Sequence, residues 1–549
     1  MASVGEDMFR AFAETLEMVR STGSRNSKVE LLAGLFRRLS PASLQAVTRF
    51  LKGKEVPSGD IGVGWKGVVD ALTEISGASP KDLWASYLKH GDLGSAAEDV
   101  VSRKGRASTL LRQPLTIPRV EKAFLDMAKQ AGAGSSSARR RALQGLFADA
   151  DALELKYLIR IITGDLRVGA TGGLTEEALA KAFDVDPATL RDAVLVTGDV
   201  GEVAKLLVEG RLAQARPVLY RPVEFMLAEP KASPEEVAKH FSKEAIVEMK
   251  YDGIRVQAHV GREVRLYSRR MEEITGSLPE VRDSLSSLGH EAILDGEALG
   301  FGGGRPLPFV KMQARLHRKA ISEEVIEKLP FHYVVFDLLY LDGRSLLDMK
   351  LKDRRIMLEG LRLTGGVSVA PTFSAGSAEG FRKLFEKSRA EGFEGLVVKD
   401  PDSPYMPGRR GGHWVKLKEE LDTIDAVVVA AEWGNGKRAG LLSDYTFAVW
   451  DRGELKVIGK AYSGLTDEEI RSMTETMKKL ALRWEGNRCW VRPEVVMEVA
   501  FDSIQRSDRH SSGYALRFPR IKAIRTDKAP GQADTIERVR LVYEGQKLK

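Results

Sequence analysis

Apolar residues in the first third of the chain recur at helical spacing. Leu31, Leu32, Leu35 and Phe36 form one stripe, and Leu155, Leu158, Ile159 and Ile162 form another. Gly, Pro and Ser clusters punctuate these stretches, as at Gly132 to Ser137 and Ser79-Pro80, so residues 1 to about 212 are expected to be helical. The opening, Met1 to Arg20, sets Glu6, Asp7, Glu14 and Glu17 among apolar positions, which is the pattern of an amphipathic helix and not of a signal peptide. From about 213 the texture changes. Pro217, Pro222 and Pro230 mark a linker, and Ser233-Pro234-Glu235-Glu236 has the form of a capping box. Strand-like runs follow at Ala245 to Met249, Arg255 to Val260 and Glu263 to Ser268, the last two joined across Gly261. Further runs lie at Phe331 to Leu339 and Gly395 to Lys399, with helical segments between, so this region is expected to be α+β.

Near 421 the pattern shifts again. Asp425 to Glu432, Tyr445 to Trp450, Glu454 to Gly459 and Val495 to Phe501 read as short strands. One helix, Asp467 to Ala481, opens with a second capping box, Thr466-Asp467-Glu468-Glu469. Several strands with one interposed helix in about 125 residues suit a small Greek-key barrel of the oligonucleotide-binding kind, an OB-fold. A chain of 549 residues is too long for one core, and these textures give three parts.

Composition changes the picture only modestly. The chain is 43% hydrophobic and 29% charged, and nowhere do about 18 apolar residues run together, so no membrane helix is expected. The single Cys489 excludes an intramolecular disulfide and any multi-cysteine zinc site, which fits a reducing, intracellular (cytoplasmic) setting. A net charge of +7 suits a polyanionic partner and equally an ordinary basic protein. Arg103-Lys104, Arg106 and Arg139-Arg140-Arg141 gather positive charge in the helical third. A solvated helix face explains each cluster, and a phosphate-tracking surface explains why they share one region.

The candidate chemistry centres on Lys250-Tyr251-Asp252-Gly253-Ile254-Arg255. A lysine amine is a good nucleophile, but at an ordinary pKa of about 10.4 it is mostly protonated, and it becomes reactive where burial or neighbouring cations disfavour its charge. Lys250 ends an apolar strand and precedes a turn at Asp252-Gly253, a placement that suits a half-buried nucleophile and equally an edge-strand lysine. Downstream come Ser268-Arg269-Arg270, Leu294-Asp295-Gly296-Glu297 with its carboxylate expected just after a turn, and Phe331 to Gly343 with Phe336 in a buried run. Glu394-Gly395-Leu396-Val397-Val398-Lys399 and Trp414-Val415-Lys416-Leu417-Lys418 complete the series. Strand alternation puts Lys416 and Lys418 on one face, where two cations repel unless an anion such as polyphosphate lies between them.

In this order and spacing the motifs resemble those of the ATP-dependent DNA ligases of the covalent nucleotidyltransferase superfamily, in their archaeal and eukaryotic replicative arrangement. The likeness rests on KYDGIR, SRR, LDGEAL, FHYVVFDLLYLDG, EGLVVK and WVKLK. It extends to MEVAFDSIQRS and to a final motif running from Arg517-Phe518-Pro519-Arg520 through Arg525-Thr526-Asp527-Lys528. The resemblance implies an all-α DNA-binding domain (1–212), an α+β adenylation domain (213–421) and an OB-fold domain (422–549), with hinges near 213–222 and 419–424. It also implies nick sealing in replication, repair and recombination, with ATP and Mg²⁺ as cofactors. Lys250 would carry the adenylate, Glu248 would lie near the adenine amino group, and Phe336 would stack on the base. Arg255 and Arg269 would contact ribose and the nick 5′-phosphate. Glu297 would meet the ribose, with Glu297 and Glu394 recruiting the metal. Lys399, Lys416 and Lys418 would neutralise phosphate, Trp414 would border the nucleotide, and Arg520 and Lys528 would reach the departing pyrophosphate. Arg270 stands where many members carry Asn, which adds a cation near the phosphate path.

The implied partner is nicked duplex DNA, acted on by a monomer with no membrane contact. A sliding clamp is a further candidate partner without a clear binding motif, since Arg103 to Leu111 lacks the paired aromatics of such peptides. An RNA ligase or an mRNA-capping guanylyltransferase shares the lysine chemistry, but the helical third of about 200 residues argues for a DNA-encircling enzyme. A non-catalytic binder on a ligase scaffold would have no need to retain Lys250. An NAD-dependent ligase would need four zinc-binding cysteines.

Overall fold

The computed structural model describes residues 7–56, 61–104, 112–130, 132, 134–168, 172–241, 243–302, 305–307, 312, 315, 321–418, 423–434, 438 and 440–548. Arg106 and most of the expected hinge at 419–424 lie outside them. The chain forms two compact units. The first comprises Met1–Glu229, Tyr251–Phe373 and Lys399–Trp414, and the second Pro230–Lys250, Ser374–Val398 and Val415–Lys549.

In the first unit, twelve helices among the described residues run from Phe9–Ser21 to Val200–Val208. Their apolar stripes converge on one core in which Phe9, Phe12, Phe50 and Phe124 are fully buried and meet edge to face or tilted. Buried arginines cross-link the helices. Arg49 donates to both oxygens of Asp199 at 3.0–3.1 Å, and Arg160 to those of Asp92 at 3.1 Å. From Tyr220 onward, the expected hinge at 213–222 is strapped to a strand. The Tyr220 N–H donates to His259 Nδ1 at 2.9 Å, and the Gln257 amide bonds both the N–H and the carbonyl of Val223 at 2.8 and 3.0 Å.

Twenty-one strands are described, numbered in chain order. The first twelve are β1 (Glu229–Lys231), β2 (Ala245–Lys250), β3 (Ile254–Val260), β4 (Val264–Ser268), β5 (Ala292–Gly302), β6 (Arg305–Pro306), β7 (Phe331–Leu341), β8 (Arg344–Ser345), β9 (Val367–Val369), β10 (Thr372–Ala375), β11 (Gly395–Lys399) and β12 (Trp414–Lys418). The rest are β13 (Thr423–Trp433), β14 (Leu442–Asp451), β15 (Glu454–Ala461), β16 (Ala481–Glu485), β17 (Arg488–Val491), β18 (Val496–Ala500), β19 (Ser503–Arg506), β20 (Tyr514–Arg517) and β21 (Arg520–Ile524).

The sheet of the first unit runs β4-β3-β5-β7-β8, with β6 on β5 and β9 parallel to β7. Its β5 corrects the expected turn in Leu294-Asp295-Gly296-Glu297. The whole LDGEAL motif lies inside one strand, because a Cβ on Gly296 would sit 2.5 Å from the Val334 carbonyl and 2.7 Å from the Tyr333 ring. The glycine marks a close approach of β7 and not a reversal of the chain.

The second unit holds the sheet β1-β12-β11-β2-β10, with Pro230 confined to an edge strand. Ser233 caps the helix Pro234–His240 through the Glu236 N–H, but Glu236 accepts from Ala232 N at 3.0 Å and not from Ser233, so only half of that capping box forms. The box at Thr466 is complete. The last part of the chain carries the seven-stranded sheet β15-β14-β13-β17-β16, with β18 bridging β13 and β21, and a separate β19–β20 hairpin. Pairing among the described residues does not close into the expected barrel. The long β13 divides its pairing, with Thr423–Val427 on β18 and Ala430–Glu432 on β17.

Candidate functional site: two sets of converging charges

Lys250 ends β2 in the second unit, and Glu394 immediately precedes the neighbouring strand β11. The pair is joined twice. The Glu394 N–H donates to the Lys250 carbonyl at 2.9 Å, and Lys250 Nζ donates to Glu394 Oε2. The contact of this amine is with a carboxylate and not with a neighbouring cation of the kind that would depress its charge. Glu248, two residues earlier on the same face, is 2% exposed. Lys416 and Lys418 are half-buried and alternate with buried Val415 and Leu417, so they share a face as expected.

For Lys418 the chain itself supplies an anion. Lys418 Nζ lies 3.2 Å from Asp502 Oδ1, and Arg520 Nη2 lies 3.7 Å from the same oxygen. Two further cations of the final motif, Arg525 and Lys528, converge on Asp425, which is 8% exposed. Arg525 donates to both of its oxygens at 3.0–3.1 Å, and Lys528 pairs with Oδ2. The hydrogen bond from Arg525 also holds the Asp527 carboxyl down to about 2.

The first unit carries the remaining set. Gly253, which follows Lys250-Tyr251-Asp252, packs directly on β5: a Cβ there would meet the Ala298 carbonyl and Leu299 Cδ2 at 2.6 Å each. Arg255 on β3 is opposite Glu297 on β5, and its side chain reaches diagonally to Asp295. It makes a bidentate pair there at 3.1 and 2.8 Å, donates to the Met226 carbonyl at 2.8 Å, and lies over the Phe225 ring at 4.6 Å. Asp295 is fully buried and also accepts from the Tyr405 hydroxyl at 2.7 Å, and that hydroxyl accepts from Met226 N at 3.0 Å. Burial opposes the Arg255 charge, but Asp295, with help from Tyr405 and Glu297, more than offsets it and moves its pKa above the ordinary value. Arg255 is thus an anchor within the fold.

Phe336 is half-buried on β7 and meets Trp414 edge to face at 6.2 Å. The Lys399 ammonium, 1% exposed, lies 4.5 Å from the Phe336 ring centre and 4.3 Å from that of Trp414, an aromatic setting for a buried cation. Arg269 and Arg270 are exposed in the turn after β4, which the positive φ of Met271 (63°) and its N–H bond to the Ser268 carbonyl (2.8 Å) hold in shape.

The two units therefore divide the expected residues. Arg255, Arg269, Glu297, Phe336, Lys399 and Trp414 belong to the first, and Glu248, Lys250, Glu394, Lys416, Lys418, Arg520 and Lys528 to the second. The sequence reading overlooked the carboxylates and the tyrosine that hold these cations: Asp295, Asp425, Asp502 and Tyr405. The one available signal was a carboxylate within an otherwise apolar strand, as at Asp295 and Asp425. It also overlooked Phe518, which is 68% exposed at φ 49°, with the Arg517 guanidinium 5.0 Å from its ring centre. An exposed aromatic on strained backbone is a functional signal that sequence alone does not carry. Among the described residues no group of three or more His, Cys, Asp or Glu is placed to hold a metal by itself, and no helix is long and apolar enough to cross a membrane.

Residues 8–180 match the family described as DNA ligase N terminus, residues 225–418 match ATP dependent DNA ligase domain, and residues 438–528 match ATP dependent DNA ligase C terminal region. A relative named "Probable DNA ligase" from Koribacter versatilis is 40% identical, over 97% of this chain and 96% of its own length. The "DNA ligase" of Thermococcus onnurineus is 36% identical over 99% of each chain, and that of Archaeoglobus fulgidus 36% over 98% of each. A solved structure titled "Pmar-Lig_PreS3" matches with a TM-score of 0.54 at 16% identity, covering 93% of this chain and 99% of its own, a likeness of fold.

Proposed function

The chain belongs to the ATP-dependent DNA ligases, which seal nicks in DNA, and from that premise we propose how its residues divide the work. Lys250 Nζ attacks the α-phosphate of ATP. An N–P bond forms, the bond to the β-phosphate bridge breaks, and diphosphate leaves. The AMP then passes to the 5′-phosphate of the nick, and the 3′-hydroxyl attacks that phosphate and expels AMP. The observation that carries this reading is the double tie between Lys250 and Glu394, which fixes one amine at a strand end beside one carboxylate. Attack requires that the amine leave this ion pair, so Glu394 both aims the lysine and releases it.

Little covalent work is left to the rest of the protein beyond alignment and charge neutralisation. Phe336 and Trp414 border the base, with Glu248 reading its amino group, and Glu297 meets the ribose. Lys399, Lys416 and Lys418 neutralise the α-phosphate and its neighbours, and Arg520 and Lys528 draw off the diphosphate. Arg269 and Arg270 meet the nick phosphate. Glu297 in the first unit and Glu394 in the second each offer a carboxylate of the kind Mg²⁺ takes, the ion completing its shell with phosphate and water. Bound there, the ion would offset phosphate charge.

The domain division follows the same reading: a DNA-binding region to about 212, an adenylation domain to about 421 and a C-terminal domain beyond, acting inside the cell in replication, repair and recombination. Relatives matching over nearly the whole chain favour DNA as substrate over an RNA end or a cap. A gel assay of a nicked duplex with ATP, GTP or NAD tests this. Sealing with ATP is expected, and sealing only of RNA nicks, or loading of GTP in place of ATP, would refute it.

A further inference from the structure

Asp502 is placed against two cations of the phosphate-handling set. Its Oδ1 lies 3.2 Å from Lys418 Nζ and 3.7 Å from Arg520 Nη2, and its side chain is 35% exposed. The fold fixes this position from both sides. Asp502 follows β18, whose Ala500 pairs with Arg520 on β21, and it precedes β19, whose Ser503 pairs with Arg517 on β20. Its own N–H donates to the Arg517 carbonyl at 2.8 Å. The backbone of Asp502 is therefore held beside Arg520 while its carboxylate keeps rotamer freedom, and Lys418 comes to it from β12. Two cations sharing one oxygen repel each other unless that oxygen is charged, and the oxygen occupies a point where a phosphate oxygen would satisfy both.

We propose that Asp502 is a positioning residue that stands in for phosphate. It neutralises Lys418 and Arg520 before nucleotide arrives, is displaced when polyphosphate binds, and returns to help expel diphosphate. This rests on the assignment of Lys418 and Arg520 to phosphate given above. Competition has a definite sign. Removing the charge frees both cations for the ligand, so phosphate should bind more tightly, whereas a purely architectural carboxylate would weaken binding when lost.

The test is calorimetric titration of the full-length protein with inorganic diphosphate, for wild type, Asp502→Asn and Asp502→Glu. Asp502→Asn is expected to bind diphosphate about threefold to tenfold more tightly, the size of one or two part-exposed ion pairs. Asp502→Glu, which keeps the competing charge, is expected to return to wild-type affinity. The KM for ATP in adduct formation should fall by a similar factor in Asp502→Asn, with sealing of a pre-adenylated nick unchanged. Unchanged or weaker diphosphate binding in Asp502→Asn, in protein that melts like wild type, overturns the proposal. The underlying assignment fails separately, if Lys418→Ala and Arg520→Ala leave diphosphate affinity as it was.

Discussion

Arg255 separates what the motif suggests from what the fold does with it. The resemblance gives this residue to ribose or the nick phosphate, whereas its guanidinium is committed to Asp295, the Met226 carbonyl and the Phe225 ring. Arg255→Ala would leave Asp295, which is fully buried, with the Tyr405 hydroxyl as its remaining side-chain partner. Breaking one side of a buried pair costs about 3–5 kcal/mol, and the lost bond to Met226 adds about 1 kcal/mol. The transition that melts this sheet should fall by roughly 10 °C. The loss should not vary with pH near neutrality, because a group whose pKa is raised keeps its contribution until pH climbs past its ordinary, strongly basic value. Thermal melts of Arg255→Ala, Asp295→Asn and the volume-matched double variant Arg255→Met/Asp295→Leu complete the cycle. The double variant should recover at least half of the loss, since a buried pair replaced by apolar groups is often neutral. If Arg255→Ala melts within about 2 °C of wild type yet loses nucleotide or DNA affinity, the anchor assignment is wrong and the substrate contact is right.

Three further expectations follow from particular contacts. Gly296→Ala drives a Cβ into the Val334 carbonyl at 2.5 Å, so stability should fall by about 1–3 kcal/mol in urea unfolding; a neutral result would contradict the close approach of β5 and β7. In the helical region burial opposes the charges of Glu17 and Asp92, but hydrogen bonds from Arg20, Lys156 and Tyr157, and from Arg160 and Ser95, outweigh it and bring both carboxyls to about 2. A depressed pKa stabilises above the ordinary value and is lost on acidification, so urea midpoints should decline between pH about 4.5 and 2, less steeply in Asp92→Asn; an equally steep decline in that variant would remove Asp92 from the account. Phe518→Ala should load AMP normally but seal nicks about tenfold more slowly, as expected if the exposed ring wedges against the DNA; an equal loss in both steps would place Phe518 elsewhere.

The strand end that carries Lys250 was legible because strand and turn signals meet there, and the helical, mixed and β-rich regions each announced themselves by periodicity. Long-range pairing was not. Arg255 and Asp295 are 40 residues apart and become partners through the register of β3 on β5, while Arg354, on the helix Leu351–Glu359, meets Asp337 of β7 17 residues away, and no local pattern records either. Asp295-Gly296 reads as a turn because glycine after aspartate usually is one; here the glycine is needed where a neighbouring strand comes too close for a side chain. The expected barrel depended on how β13 would share its two edges, a choice between partners that alternation cannot express. For the same reason the final motif looked like free cations, while Asp425 and Asp502 hold them.

The central claim is that Lys250 carries AMP. Protein stripped with diphosphate should be incubated with Mg²⁺ and ATP labelled at the α-phosphate, resolved on a denaturing gel, and chased with nicked duplex DNA. A labelled band is predicted that empties as sealed DNA appears, absent in Lys250→Ala and in Lys250→Arg, which keeps a charge but no usable nucleophile. A wild-type-level band in either variant, or a wild-type band that nicked DNA never discharges, would contradict the account.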